Sequence, residues 1–368
     1  MPAAEAQATS ASLPFPLIQE IAGAGTLAPS GDNLQPWRFR MDGECLLVID
    51  DPRRDRSLFN VQNLASYIAI GALLENIIVV ASRYNYRADI SYFPNQAERD
   101  LIARVSFSPS ANVDPLTDAI ERRCTNRKPY QRRPLDVATF KKLDLDRVRF
   151  SNLRLIWLND QTALKNIGAI VARADRLLFE NPQIHDHLFS TIRWNAAAVA
   201  ATRDGLPIET LELGVLGSKA FRMLKNWSVV KTLNRFGFSR LAARQSALLM
   251  RRCSAAGLIT APDIAPSNFV RAGQAFQRLW LGATNAGLAL QPMTAVVFLQ
   301  LKSILGDHQG LTADQVTSLE SLRADLAKAY GVVAPQVPAM HFRIGYAHEP
   351  SAHTIRRPVA QILEASSN

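Results

Sequence analysis

Residues 64–82 are the stretch that most restricts how this chain can fold. Ile68, Leu73, Leu74, Ile77, Ile78 and Val80 place apolar side chains on most sides of one long helix. Such a helix has no face to offer water, so protein has to surround it. A second helix, starting at Phe269 and ending near Gly287, makes the same demand, with Ala272, Ala275, Phe276, Leu279, Trp280 and Ala283 at helical spacing. Short strands lie around both. The order of elements therefore predicts two weakly similar α+β halves, 14–112 and 113–368, each with a buried helix at its centre. No repeated identity accompanies that order.

The rest of the pattern fills in each half. A helix over 16–27 stops at Pro29. Strands at 37–40 and 46–50 are joined by the turn Met41-Asp42-Gly43, and further strands follow at 88–93 and 102–107. Asp114-Pro115 is read as opening a helix. The second half has a short helix at 137–142, a strand at 153–158, helices at 162–178 and 184–199, and strands at 254–260 and 342–346. Between its core elements lies an insertion, 206–252. Its apolar residues Phe221, Leu224, Trp227, Val230, Leu233 and Leu241 alternate with Lys219, Arg222, Lys225, Lys231, Arg235, Arg240 and Arg244. A basic amphipathic helix of this kind can cover a pocket or lie on a membrane, and a helical hairpin packed on the body with its basic face in water would carry the same pattern.

Composition narrows the classes. With 368 residues and 48% hydrophobic content, the chain can bury a large core. Residues 1–13 are Ala/Ser-rich with Glu5 as the sole charge, and read as a disordered tail rather than a signal peptide. No run is read as reaching the ~18 apolar residues of a membrane span. Cys45, Cys124 and Cys253 form no CxxC, which argues against a disulfide scaffold or zinc ribbon and for a reduced, cytoplasmic compartment. His185 and His187 are spaced wrongly for one helix face, so no metal site is expected. The net charge of +10 points to an anionic partner. Nucleic acid is disfavoured, because the basic residues are spread over several segments without a zinc-finger, RRM or basic-zipper signature.

Two segments about a hundred residues apart carry the chemistry. In Pro29-Ser30-Gly31-Asp32-Asn33-Leu34-Gln35-Pro36-Trp37, prolines fix φ on either side of three turn formers. The irregular backbone presents N–H groups, and Ser30, Asn33 and Gln35 add hydrogen-bonding side chains suited to a heteroaromatic ring. A rigid helix-to-strand turn with Trp37 buried would use the same residues. In Arg123-Cys124-Thr125-Asn126-Arg127, two guanidiniums and a hydroxyl fall within one short stretch. Forked Arg donors match phosphate oxygens bidentately, although a solvated basic turn would also look like this. Cys124 has no histidine near it in sequence and is not read as a catalytic thiol.

Together these segments resemble the two flavin-contact motifs of the nitroreductase-like FMN-binding family, where they occur once each and in the opposite order. Family members are homodimers whose sites are built from both subunits. The resemblance implies a fused dimer, a pseudo-dimer within one chain with mixed and antiparallel sheet flanked by helices, similar to the family's single-chain tandem branch. It keeps one complementary site: one FMN per chain, in a protein able to work as a monomer. By the same resemblance, Pro29, Ser30, Asn33 and Gln35 serve the ring, and Arg123, Thr125 and Arg127 the phosphate. Pro292, Met293 and Thr294 run past the reactive face of the ring, where a backbone N–H would stabilise the reduced state. Arg356 or Arg357 adds a phosphate contact from the tail. The implied activity is hydride transfer from NAD(P)H through FMN to a quinone, nitroaromatic or similar acceptor, which requires no catalytic side chain. A non-enzymatic flavin-binding or flavin-sequestering protein is the alternative.

Overall fold

A computed structural model of the chain describes residues 13–145 and 148–364. The expected tail at 1–13 falls outside them except for Leu13, which is buried. Pro14 starts α1 (Phe15–Thr26). β1 (Trp37–Asp42) and β2 (Cys45–Asp50) form a hairpin with Trp37 opposite Asp50 and Asp42 opposite Cys45. Gly43 takes the left-handed conformation that its tight turn requires. After α2 (Leu64–Arg83), β3 (Tyr86–Tyr92) and β4 (Leu101–Pro109) complete an antiparallel set in the order β1-β2-β4-β3.

The second half opens with α3 (Ala119–Arg122), α4 (Val137–Lys142), β5 (Arg154–Leu158), α5 (Gln161–Glu180) and α6 (Pro182–Thr191). There follow β6 (Ile192–Arg193), α7 (Ala196–Thr202), β7 (Leu206–Pro207), α8 (Gly214–Met223), α9 (Trp227–Asn234) and α10 (Phe238–Arg252). β8 (Ala255–Ala261), α11 (Pro266–Asn285), β9 (Ala289–Pro292), α12 (Ala295–Ile304), α13 (Ala313–Tyr330) and β10 (Val337–Gly345) come next. β5-β8-β10-β9 is a second, antiparallel sheet. The last strand, β11 (Leu363–Glu364), crosses back and pairs parallel with β1, so the five-stranded first sheet is mixed. The fold is therefore α+β, two main sheets flanked by helices, with β6 and β7 as a small parallel pair.

Three local expectations change. The helix expected over 184–199 breaks at Ile192, which pairs with Leu206. Asn195 then caps a separate α7 by accepting from the Ala198 N–H. Asp114-Pro115 opens no helix directly. The Asp114 carboxylate accepts from the Leu116 N–H and pairs with Arg278, and helix begins only at Ala119. The insertion, expected as a basic amphipathic helix or a helical hairpin, holds three α-helices, and α10 belongs to the core. Its Ala243 and Met250 are buried against α5, where a Cβ on Gly168 would come within 3.1 Å of the Ala247 carbonyl.

α2 also departs from the reading of apolar runs. The helical stretch Val61–Arg83 is long and apolar enough to cross a bilayer by length and composition, yet it is buried inside the protein. Its principal partner is α11. A Cβ on Gly71 would lie 1.9 Å from the Val270 carbonyl oxygen, and one on Gly273 would lie 2.1 Å from the Ile68 carbonyl oxygen. The contact is reciprocal: each glycine receives the carbonyl three residues before the other. Leu64, Ala65 and Ile68 of α2 join the second half's core, while Val270 and Leu281 of α11 join the first half's. Polar ties reinforce the crossing. The fully buried Glu75 carboxylate pairs with Arg149 and with Arg278 at 3.0 Å, and Gln277 donates to Asn76 at 2.7 Å.

Gly71→Ala or Gly273→Ala is expected to force the two helices apart, since backbone on the far side cannot yield as a flexible side chain would. The expected loss is at least about 3 kcal/mol, large for one methyl group. Gly43→Ala, in an open turn, is expected to cost less, about 1 kcal/mol. Urea unfolding of the three variants checks the ranking, and equal midpoints for Gly71→Ala and wild type would contradict it.

Candidate functional site

Three adjoining cavities run beside the α2–α11 crossing and the loop that follows α1. The first, about 310 Å³, is lined by Ser30, Asn33, Arg123, Thr125, Arg127 and Arg356, among others. It shares Pro29, Ser30, Asp32, Thr125 and Arg127 with a middle cavity of about 130 Å³, whose walls are otherwise largely apolar: Ala65 and Ile68 of α2, Phe276 of α11, Pro292, Phe298 and Met340. The third, about 210 Å³, shares Asp32, Ala65, Pro292, Thr294 and Phe298 with the middle one and adds Asp55, Phe59, Asp175, His187 and Met293. The result is a trough that is cationic at one end, apolar beside the α2–α11 crossing, and rich in titratable groups at the other end.

The loop after α1 is held in an unusual shape. Asp32, Asn33 and Gln35 all have φ between 45° and 56°, a region that non-glycine residues seldom occupy. Ser30 fixes it from both ends: its carbonyl accepts from the Asn33 N–H at 3.1 Å and its hydroxyl accepts from the Gln35 N–H at 3.0 Å. The Asn33 amide donates to the carbonyls of Gly205 and Ile355, while its Oδ1 is buried without a partner. An unpaired buried acceptor on a residue that lines a cavity fits a ligand that brings donors. Gln35 is not brought to the cavity. It is wholly buried, donates to the Arg203 carbonyl and accepts from the Arg357 N–H.

The cationic end comes from three segments. Arg123 follows the last turn of α3, is 7% exposed, lies 4.5 Å over the Trp280 ring and donates to the Leu27 carbonyl. Arg127 donates to the Thr210 carbonyl, and Arg356 arrives from the tail and donates to the carbonyls of Thr26 and Ala28. Among the described residues, no carboxylate forms an ion pair with any of the three. Glu121 is at the cavity wall but exposed. Burial pushes Arg123 down to about 10, and burial followed by the Arg123 charge pushes Arg356 down to about 9. Guanidiniums remain charged at neutral pH even so. The site thus holds three guanidiniums against two wall carboxylates, Asp32, which is paired with His187, and the exposed Glu121, an excess of positive charge that fits a phosphate. Arg357 is not part of it, because its guanidinium donates to the carbonyls of Gln35 and Trp37.

Of the segment after α11, Pro292 and Thr294 line the middle and third cavities and Met293 the third. The Met293 N–H is already donated to the His341 carbonyl at 2.8 Å, and Pro292 has none. Several site residues escaped the motifs. Asn126, at an unspecified position of the Arg motif, is 5% exposed and pins the turn by donating from its side chain to the His348 carbonyl and from its N–H to the Leu290 carbonyl. His187 on α6 pairs with Asp32 at 3.1 Å. Burial works against protonating it, but the bond to Asp32 and the charge of Asp55 outweigh that, so its pKa is raised. Burial pushes Asp175 on α5 up to about 6, against the Ser246 hydroxyl bond. Nothing in their sequence neighbourhoods marks His187 or Asp175 as partners of the Ser30–Gln35 loop. Burial, with the neighbouring arginines opposing it, raises the Cys124 thiol.

No family model matches the chain. It is 25% identical over 353 residues, 95% of its length and 48% of the relative's, to a protein of Mycobacterium tuberculosis of uncharacterised function. Over 167 residues, 44% of this chain and 47% of the relative, it is 26% identical to a second protein of that organism, provisionally named an NAD(P)H nitroreductase. The chain thus spans about half the length of the curated relatives it matches. An FMN- and NADPH-dependent nitroreductase of Sphigopyxis sp. strain HMH aligns with 68% of this chain and 98% of its own at a TM-score of 0.40 and 14% identity.

The two tail arginines are expected to behave differently toward a simple anion. Arg356→Ala should weaken inorganic phosphate binding by roughly ten- to a hundredfold, the loss of a charge-assisted contact. Arg357→Ala should change it by less than about threefold, because that guanidinium is committed to backbone carbonyls. Calorimetric titration with phosphate decides, and equal losses in both variants would contradict the assignment.

Proposed function

We propose that the chain is a nitroreductase-like, FMN-dependent oxidoreductase that passes hydride from NAD(P)H to an electrophilic acceptor such as a quinone or nitroaromatic. In this reading, residues 14–112 and 113–368 are the halves of a single-chain pseudo-dimer with one FMN between them, able to act as a monomer. The observation that carries it is the trio Arg123, Arg127 and Arg356, without a carboxylate ion pair among the described residues, at one end of a trough whose middle is apolar. The provisional name of the 26% identical relative agrees with it.

The chain's own residues would divide the work. Arg123, Arg127 and Arg356 bind the phosphate, and Thr125 adds a hydroxyl beside them. Asn33 offers its unpaired Oδ1 to a donor of the ribityl chain or ring. Ala65, Ile68 and Phe276 wall the middle cavity and exclude water from a flat heteroaromatic ring. When bound, FMN supplies the two-electron redox chemistry itself. Thr294, at the join of the middle and third cavities, is the residue of its turn best placed to contact the ring edge. The third cavity, lined by Phe59, Leu188 and Phe298 with His187 in its wall, adjoins the ring compartment and is the place for the acceptor.

FMN titration and anaerobic reduction test the reading. One FMN per chain is expected, bleached by NADPH or NADH. Arg123→Ala should lower FMN affinity by about one to two decades, while Arg53→Ala, whose side chain is 69% exposed, should leave it unchanged. Two FMN per chain, or equal affinity in both variants, would remove the single-site proposal. Tight binding without bleaching by either donor would replace turnover with flavin sequestration.

A further inference from the structure

The outer surface of the α8–α10 insertion plays no part in the trough. Of the large hydrophobic residues exposed among the described residues, most lie between 213 and 248. Phe236 is 87% exposed, Leu216 81%, Val215 75% and Met223 71%, and no residue of α8 is buried. The same segment is strongly cationic. Nine lysines and arginines lie between 213 and 252, all of them exposed, and no aspartate or glutamate occurs before Asp263. The two kinds of side chain share faces. Leu216, Lys219 and Met223 follow one another along α8, and Leu241, Arg244, Leu248 and Arg252 along α10, at three- and four-residue steps. The inner face of α10 is anchored on α5 through Ala243 and Met250, so this stripe is held outward.

We propose that this face docks the protein on the surface of an anionic lipid bilayer, with Leu216, Met223 and Phe236 entering the headgroup region and the flanking cations meeting lipid phosphates and carboxylates. Two alternatives fit less well. A second copy of the face would set nine positive charges against nine, with no carboxylate on either side. A nucleic acid would match the charge but leave the apolar side chains unused, whereas an interface between headgroups and acyl chains uses both. The proposal is independent of what fills the trough.

Sedimentation of the full chain with vesicles tests it. Binding is expected to vesicles of phosphatidylcholine with phosphatidylserine, to be weak on phosphatidylcholine alone, and to fall as salt is raised. Because each cation near an anionic surface strengthens binding about fivefold, Arg240→Gln with Arg244→Gln should weaken it roughly 25-fold. Leu216→Ser with Phe236→Ser, which keeps every charge, should weaken it by about tenfold or more. These positions are exposed, so unchanged thermal melting serves as the folding control. No dependence on phosphatidylserine would overturn the proposal. So would vesicle binding that the Leu216→Ser, Phe236→Ser variant leaves intact, since the face would then be a generic polyanion site.

Discussion

The close crossing of α2 and α11 is the contact on which the rest of the structure depends. Both helices are buried nearly all round, and neither could be stable at a surface. Gly71 and Gly273 remove the side chains that would hold them apart, so each backbone meets the other's carbonyl directly. The contact is reciprocal, Gly71 on the Val270 carbonyl and Gly273 on the Ile68 carbonyl. Each helix then supplies side chains to the other half's core, and the hydrophobic effect that stabilises one half also stabilises its junction with the other. The middle cavity is walled by Ala65 and Ile68 from one helix and Phe276 from the other, so its width is set by the same crossing.

The returning tail is the second constraint. After β10 the chain leaves the second sheet, passes the loop that follows α1, and adds β11 to the first sheet beside β1, where the Ile362 carbonyl accepts from the Phe39 N–H. Gln35 and Arg357 hold that passage through side chain and backbone. They support the site by fixing the strand that delivers Arg356, rather than by touching the cavity. The buried Gln35 amide and the Arg357 Nη2 donated to two backbone carbonyls are understandable in this role.

The excess of positive charge divides between two environments with different physics. Inside, Arg123 is buried and Arg127 and Arg356 are half-buried, so their mutual repulsion is screened less than at the open surface and an anion between them gains more. Outside, the cations of α8–α10 are hydrated and act collectively, over about a Debye length, on whatever lies opposite. The same net charge therefore reads as a specific pocket in one place and as a diffuse field in the other.

By itself, the sequence determined the elements whose cause is local. Proline ended α1 and shaped the Ser30–Gln35 loop, periodicity marked both buried helices, and alternation with turn residues marked the hairpin. The clustering of Arg123, Thr125 and Arg127 was visible because all three lie on one turn. Their meeting with Ser30 and Asn33 was legible only through resemblance to known motifs, since nothing local brings positions a hundred residues apart together. Tertiary structure alone separated Arg356 from Arg357, because adjacent residues on an extended tail point to opposite sides and the side facing the cavity depends on β11's register with β1. It also brought His187 and Asp175 to the trough and turned Gln35 away from it. Those placements follow from how α5, α6 and the tail pack around a loop far from them in sequence, and packing between distant segments leaves no periodic trace in either one.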